Sequence, residues 1–285
     1  MAINVVWFKR DLRLLDHAAL ELASRLPQKC LLLYIFEPAL LSNSHYRGRH
    51  WQFIAQSLRD LQQVLNASGR ELAVLEGNAV ALLNELDERL GIVNLLSYEE
   101  TGLDVTFQRD LAVAKLCDAK GIVWRQFQTN GIERGRHNRT GWNRSWHRIM
   151  TSPCHTVPVT RLNTVSLSSE PVFTALRSAK YQTWLTARSD LQQGGQTQAH
   201  QVLSSFLTER GWGYQKFISK PETSRVHCSR LSPYLAWGCL SMRQAYQALQ
   251  QQEKRHGWSR AMNAFESRLH WHCHFIQKFE MECRM

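Results

Sequence analysis

A five-stranded, doubly wound parallel α/β (Rossmann-like) domain, followed by the start of an all-α domain, is the fold class this sequence predicts. Three observations predict it. Five short apolar runs rich in branched or aromatic residues fall within the first 130 residues. Segments of helical period separate those runs. The last ninety residues carry helical periodicity alone. Near-continuous apolar strands alternating with amphipathic helices imply a parallel sheet covered on both faces.

The strands are expected at 3–8, 30–36, 71–75, 92–98 and 122–127. Between them, Ile54, Leu58, Leu61 and Leu65 stack on one helical face, and Asn66 to Gly69 supplies a stop. Val80, Leu83, Leu86 and Leu90 make a second stripe, ended by Gly91. The α/β domain therefore covers residues 1–130. Over 131–195 Ser, Thr, Gln and Pro accumulate and periodicity fades, as in an interdomain connector. In 196–285, Val202, Leu203, Phe206 and Leu207 mark a helix ending at Gly211. Ser241 is the expected N-cap of another that stops at Gly257. Trp258, Met262, Phe265, Leu269, His272, Ile276, Phe279 and Cys283 follow at spacings of three and four, with no stop before Met285. Such a stripe needs a partner surface, so the natural protein is expected to continue, or this product to be truncated.

Composition narrows the function classes. Hydrophobic residues make up 44% of the chain and charged ones 21%, values of a globular protein that exclude disorder, collagen and coiled-coil filaments. No apolar run is long enough to span a bilayer, and the N-terminus has no secretory signal, so no membrane partner is expected. Seven cysteines are an odd number, and none forms a C-x-x-C pair. Reduced thiols in a cytoplasmic protein follow. A monomer is expected. Lys plus Arg number 35 against 24 Asp plus Glu, a net charge of +11. That balance, with a pI of about 9.6, makes nucleic acid a live partner; solubility alone is the plainer explanation.

Doubly wound folds bind ligands at the carboxyl ends of their strands. Lys9, Arg10, Glu37, Glu99 and Glu100 occupy those ends, either as ligand contacts or as ordinary polar loops. No Gly-x-Gly-x-x-Gly or Walker A sequence follows any strand, which leaves nicotinamide and P-loop nucleotide binding without support. Residues 134–148 hold five arginines and no carboxylate, and Trp142 and Trp146 are spaced to share one helical side. Arginine beside exposed aromatics suits phosphates and unstacked bases; the alternative is a linker whose tryptophans pack on the domain behind it.

Two passages carry a family resemblance. Val5-Val6-Trp7-Phe8-Lys9-Arg10-Asp11-Leu12-Arg13-Leu14, with Asp16 to Leu20 after it, resembles the first strand and loop of the DNA photolyase/cryptochrome family. Ser229-Arg230-Leu231-Ser232-Pro233-Tyr234-Leu235-Ala236-Trp237-Gly238-Cys239-Leu240-Ser241 closely resembles that family's flavin-binding signature. The resemblance implies an antenna domain, a connector and the beginning of a helical FAD-binding domain. It also implies light-driven, FAD-dependent repair of pyrimidine dimers in DNA, a carbon–carbon lyase reaction. A cryptochrome, a blue-light photoreceptor acting through protein partners, is the alternative. The pyrophosphate of FAD needs hydroxyls, amides and a cation, which Ser229, Ser232, the turn before the next helix and Arg230 offer. By resemblance Tyr214, Cys228 and Leu231 join them, Cys228 standing where relatives commonly have threonine.

Trp271 falls at the family's tryptophan that stacks on the flipped dimer, with Arg268, His272 and Lys220 as further DNA contacts. Repair enzymes of the family place a glutamate where this chain has Arg268, which speaks for the photoreceptor. An antenna chromophore (a folate, a deazaflavin or a second flavin) is implied without being selected. His270, His272, Cys273, His274 and Cys283 are crowded, but only helical i, i+3 and i, i+4 pairs converge and no second ligand pair exists, so no metal is expected. In the family the residues around the flavin ring lie further along. No catalytic residue is therefore expected within this chain, and it should bind FAD poorly by itself.

Overall fold

The computed structural model describes residues 2–169, 171–185, 190–253 and 255–282. Five parallel strands, β1 (Ile3–Phe8), β2 (Lys29–Phe36), β3 (Leu72–Glu76), β4 (Ile92–Tyr98) and β5 (Val123–Phe127), form one sheet in the order β3-β2-β1-β4-β5. β1 is buried along its whole length because it pairs on both sides, Val5 opposite Leu31 and Leu95. One face (Ile3, Val5, Trp7, Leu31, Leu33, Leu95) packs on a core supplied by α3 (Ala79–Leu90) and α4 (Asp104–Lys120). The opposite face meets α1 (Ala18–Ala23) and α2 (Gly48–Asn66), where Ile54, Leu58, Leu61 and Leu65 are all buried. α3 ends at Gly91 in the left-handed conformation (φ 68°), as the sequence implied. α4 escapes sequence reading, since its buried row, Thr106, Asp110, Val113 and Cys117, is half polar.

The chain divides into two compact units, Met1–Phe127 with His155–Gly195, and Gln128–Cys154 with Gln196–Met285. The stretch expected as a connector, 131–195, is thus shared between them. Its second part finishes the α/β unit. Val165, Val172 and Phe173 join the sheet's core, and the Glu76 and Ser178 amides donate to the Leu176 and Val74 carbonyls, covering the β3 edge.

In the helical unit, α5 (Trp142–Thr151), α6 (Gln196–Thr208), α7 (Ser232–Ala236), α8 (Met242–Gln250) and α9 (Ser259–Met281) pack around Phe206, Phe265 and the two tryptophans of α5. Ser241 caps α8 in a reciprocal box with Gln244. α8 ends at Gln250, well before Gly257, because nothing apolar follows Leu249 to hold another turn. α9 buries Ala261, Phe265, Leu269, Cys273 and Gln277, a row spaced by four. Of the stripe expected to continue, His272 and Ile276 are only half-buried and Phe279 is exposed, while Cys283 lies outside the described residues. Gln277 explains the difference. It is fully buried, donates to the Glu133 carbonyl (2.9 Å) and accepts from the Glu133 amide (2.7 Å). No helix among the described residues is long and apolar enough to cross a membrane.

Candidate functional site

The resemblance motif forms a tight turn entering α7. Arg230 sits at its bend with φ 62°, a left-handed conformation that costs a non-glycine residue roughly 1–2 kcal/mol. What holds the turn is Arg210, which sequence reasoning missed. Its Nη1 donates to the carbonyls of Val226 (3.1 Å) and Cys228 (2.7 Å), and its Nη2 to those of Val202 (3.1 Å) and Ser229 (3.4 Å). Its Nε donates to Ser205 Oγ at 3.1 Å. No carboxylate pairs with Arg210 among the described residues. Burial, then the neighbouring Arg230, pushes its pKa below the usual guanidinium range. Two cations thus converge on one turn, an arrangement an anion would relieve. The only sequence signal was the pair Gly211 and Gly213. A Cβ on Gly211 would lie 2.5 Å from the Phe206 carbonyl oxygen, so only glycine lets the chain double back there.

The other expected residues gather around this turn. Tyr214 is buried with Phe206 and Phe265 edge-on to its ring at 5.2 and 5.9 Å, and burial pushes its hydroxyl up to about 12. The Cys228 thiol lies within the fields of Arg210 and Arg230, yet burial dominates and raises its pKa. Leu231 is buried, Ser229 Oγ accepts from the Leu231 amide at 3.5 Å, and Ser232 opens α7. Because α7 is a little over one turn long, any pull on an anion here comes from the charge of the arginines rather than from a helix dipole. Lys220 lies 5.5 Å over the Phe217 ring, which stacks on His227 at 4.1 Å.

Arg268 joins this turn to the expected substrate tryptophan. It bears electrostatically on Tyr214, and its guanidinium lies 4.8 Å over the exposed Trp271 ring. His272 is half-buried, and burial lowers its pKa. Trp142 and Trp146 are fully buried, so the exposed base-stacking expected of them does not occur. With Met150 they form the inner row of α5, which leaves Arg144 and Arg148 outside. Among the described residues no group of three or more His, Cys, Asp or Glu could hold a metal ion.

In the α/β unit, Lys9, Arg10, Glu37 and Glu100 meet in an ion-pair network centred on Arg109, the second residue the sequence did not reveal. Arg109 reaches Glu37 (2.6 Å), Glu100 (2.6 Å) and Asp110 (2.8 Å). Lys9 pairs with Asp110 at 3.2 Å and Arg10 with Glu100 at 3.4 Å. Burial raises Glu37; burial also acts to raise Glu100, but Arg109, Arg10 and Lys9 outweigh it and hold its carboxyl below the usual range. Three cations and three anions satisfy one another, so these side chains brace the strand ends. Glu99 contributes its amide to the Phe127 carbonyl (2.8 Å). Arg10 also donates to the Tyr46 hydroxyl (2.7 Å), and the residues after Tyr46 wall an open cavity of about 670 Å³. Arg47, Arg49, Gln52 and Trp184 line it.

Residues 4–135 match the DNA photolyase family model. The chain is 27% identical over 295 residues to a deoxyribodipyrimidine photo-lyase of Vibrio cholerae, an alignment covering 94% of this chain and 60% of that protein. The chain belongs to the DNA photolyase/cryptochrome family. Another member, cryptochrome-2 of Gallus gallus, is 26% identical over 281 residues, covering 86% of this chain and 46% of its own. An archaeal photolyase from Sulfolobus tokodaii, solved with two FAD molecules, shares the fold of 99% of this family member at a TM-score of 0.72 and 22% identity. This member spans 60% of that solved chain. Family membership leaves repair and light signalling both represented among its relatives.

Proposed function

We propose that this chain carries the phosphate-gripping part of an FAD site and that the whole protein repairs pyrimidine dimers in DNA with light. The observation that carries the reading is the meeting of Arg210 and Arg230 at one turn, with no carboxylate in an ion pair with Arg210 among the described residues. A dinucleotide's two phosphates are suited to such a pair. When bound, FAD supplies the light-driven one-electron chemistry that opens a dimer. Arg210 fixes the turn, Arg230 meets the phosphates, Tyr214 packs the floor, and Trp271 offers an exposed face to an unstacked base.

Titration with FAD and with riboflavin, which lacks phosphates, tests the site. FAD is expected to bind at least about tenfold more tightly, a gap of ~1.4 kcal/mol; equal affinities would refute it. Repair is tested on the full-length gene product by light-dependent loss of dimers from an irradiated oligonucleotide. One observation favours the photoreceptor reading. Arg268, not a glutamate, stands over Trp271. No loss of dimers, with FAD bound and photoreducible, would decide for it. For an antenna chromophore, the cavity beside Arg47, Arg49 and Trp184 is the better candidate, since the strand-end charges are consumed by each other. Quenching of Trp184 fluorescence by a folate or flavin, lost in Trp184→Ala, is the expected sign.

A further inference from the structure

The basic stretch before and within α5 meets α9 in a face that the phosphate turn does not use. Some of its charges are answered. Arg134 pairs with Glu280 at 3.7 Å, Arg136 with Glu133, and Lys278 with Glu282 at 3.8 Å. Arg139 and Arg144 make no ion pair among the described residues, and Arg148 has only a longer-range pull on Glu133. Three histidines stand with them. His147 of α5 stacks 6.3 Å from His270 of α9, and His274 lies 6.4 Å beyond. Arg139 contacts both ring nitrogens of His274, and Asn143 Oδ1 is 3.2 Å from His270 Nε2. Beneath them Trp142 and Trp146, fully buried, lie 5.1 and 4.8 Å from the His270 ring. The charged groups therefore stand on a rigid apolar floor. Trp271 and Phe275, 46% and 57% exposed, continue the surface along α9.

We propose that this α5–α9 face is a contact surface for the phosphate backbone of DNA, and that its grip tightens on acidification through His270 and His274. The proposal rests on the nucleic-acid reading above and deepens it. Five groups that are cationic or can become so are gathered with no unpaired carboxylate among the described residues, a cost that a polyanion removes. In the free protein, burial and then His147, His274 and Arg139 keep the His270 pKa below the usual imidazole range. Burial, then Arg139 and Lys278, does the same for His274. α8 also packs on both helices, but its Tyr246 hydroxyl is turned to Glu266 and its Arg243 to Ser152. Glu133 is held by Ser145 and Arg136 and also feels the charge of Arg148. Bound phosphates favour the protonated imidazoles, so binding takes up protons and affinity climbs as pH falls.

Fluorescence anisotropy of a labelled DNA duplex with the full chain, at constant ionic strength, tests this. From pH 7.5 to 6.0 affinity is expected to rise about tenfold, which is one net proton taken up over part of that range. The double variant His270→Gln, His274→Gln should lose the rise in affinity between pH 7.5 and 6.0. Arg139→Gln, Arg144→Gln, Arg148→Gln should lower the salt slope by about 2.7, roughly 0.9 for each phosphate contact. The matching three Arg→Lys changes should restore that slope, which excludes a folding defect as the cause. A parent that binds while both variants keep its pH and salt dependence overturns this proposal alone. A parent that binds no DNA at any pH overturns the nucleic-acid reading and this proposal with it.

Discussion

Arg210 and Arg230 divide one task between them. Arg210 spends Nε, Nη1 and Nη2 on the protein, so its contribution to an anion is the shape of the turn and its charge. Arg210→Gln removes the charge and most of those bonds, and FAD affinity should fall at least about tenfold, since hydrogen bonds to charged groups contribute roughly 1.5–3 kcal/mol. Equilibrium titration reads it. Arg230 has the opposite signature. Arg230→Gly relieves the left-handed strain and should raise or preserve stability in thermal melts while phosphate-dependent binding weakens. A loss of both would show that the strain is not borne for the ligand. Neither arginine's role was legible in full. The motif marked Arg230, but the partners of Arg210 are carbonyls contributed by a helix and a loop up to nineteen residues away, and carbonyls leave no trace in a sequence. Arg109 escaped because only the folded sheet brings its carboxylates together, from two strand ends and its own helix.

Among the elements, α1 shows a cap that titrates. His17 is fully buried; its Nδ1 accepts from the Leu20 amide (3.2 Å), and its Nε2 donates to Asp11 (2.8 Å). That geometry requires the neutral ring, and burial accordingly lowers its pKa from 6.5. A depressed folded pKa means the unfolded chain binds the extra proton. The contribution is therefore present above about pH 6.5 and is lost as pH falls below it. Denaturant midpoints measured from pH 8 to 5 should decline across that range, and His17→Gln should flatten the decline. At α8, Ser241→Ala should cost about 1 kcal/mol through loss of the capping box. The strands and the Ser241 cap were read from sequence to within a residue, because each depends on neighbours in the chain. α9's face was not, because an interior glutamine that bonds a distant backbone outweighs an apolar stripe.

At the scale of the molecule, the two units are not consecutive in sequence. Phe173, outside the first 130 residues, is buried in the α/β core. Phe173→Ala should therefore destabilise that unit by about 3 kcal/mol or more, seen as a lower midpoint in denaturant. Unchanged stability would mean that the first 130 residues stand alone. Composition had suggested a loose connector for this stretch, since few of its residues are apolar; those few are the ones the sheet needs. The covered β3 edge carries a further implication for biosynthesis. A ribosome must finish the arginine-rich segment and travel on past Ser178 before the sheet's β3 edge can be covered. Nascent chains stalled within that window would present unpaired backbone to one another, and slow codons there should favour aggregation over folding.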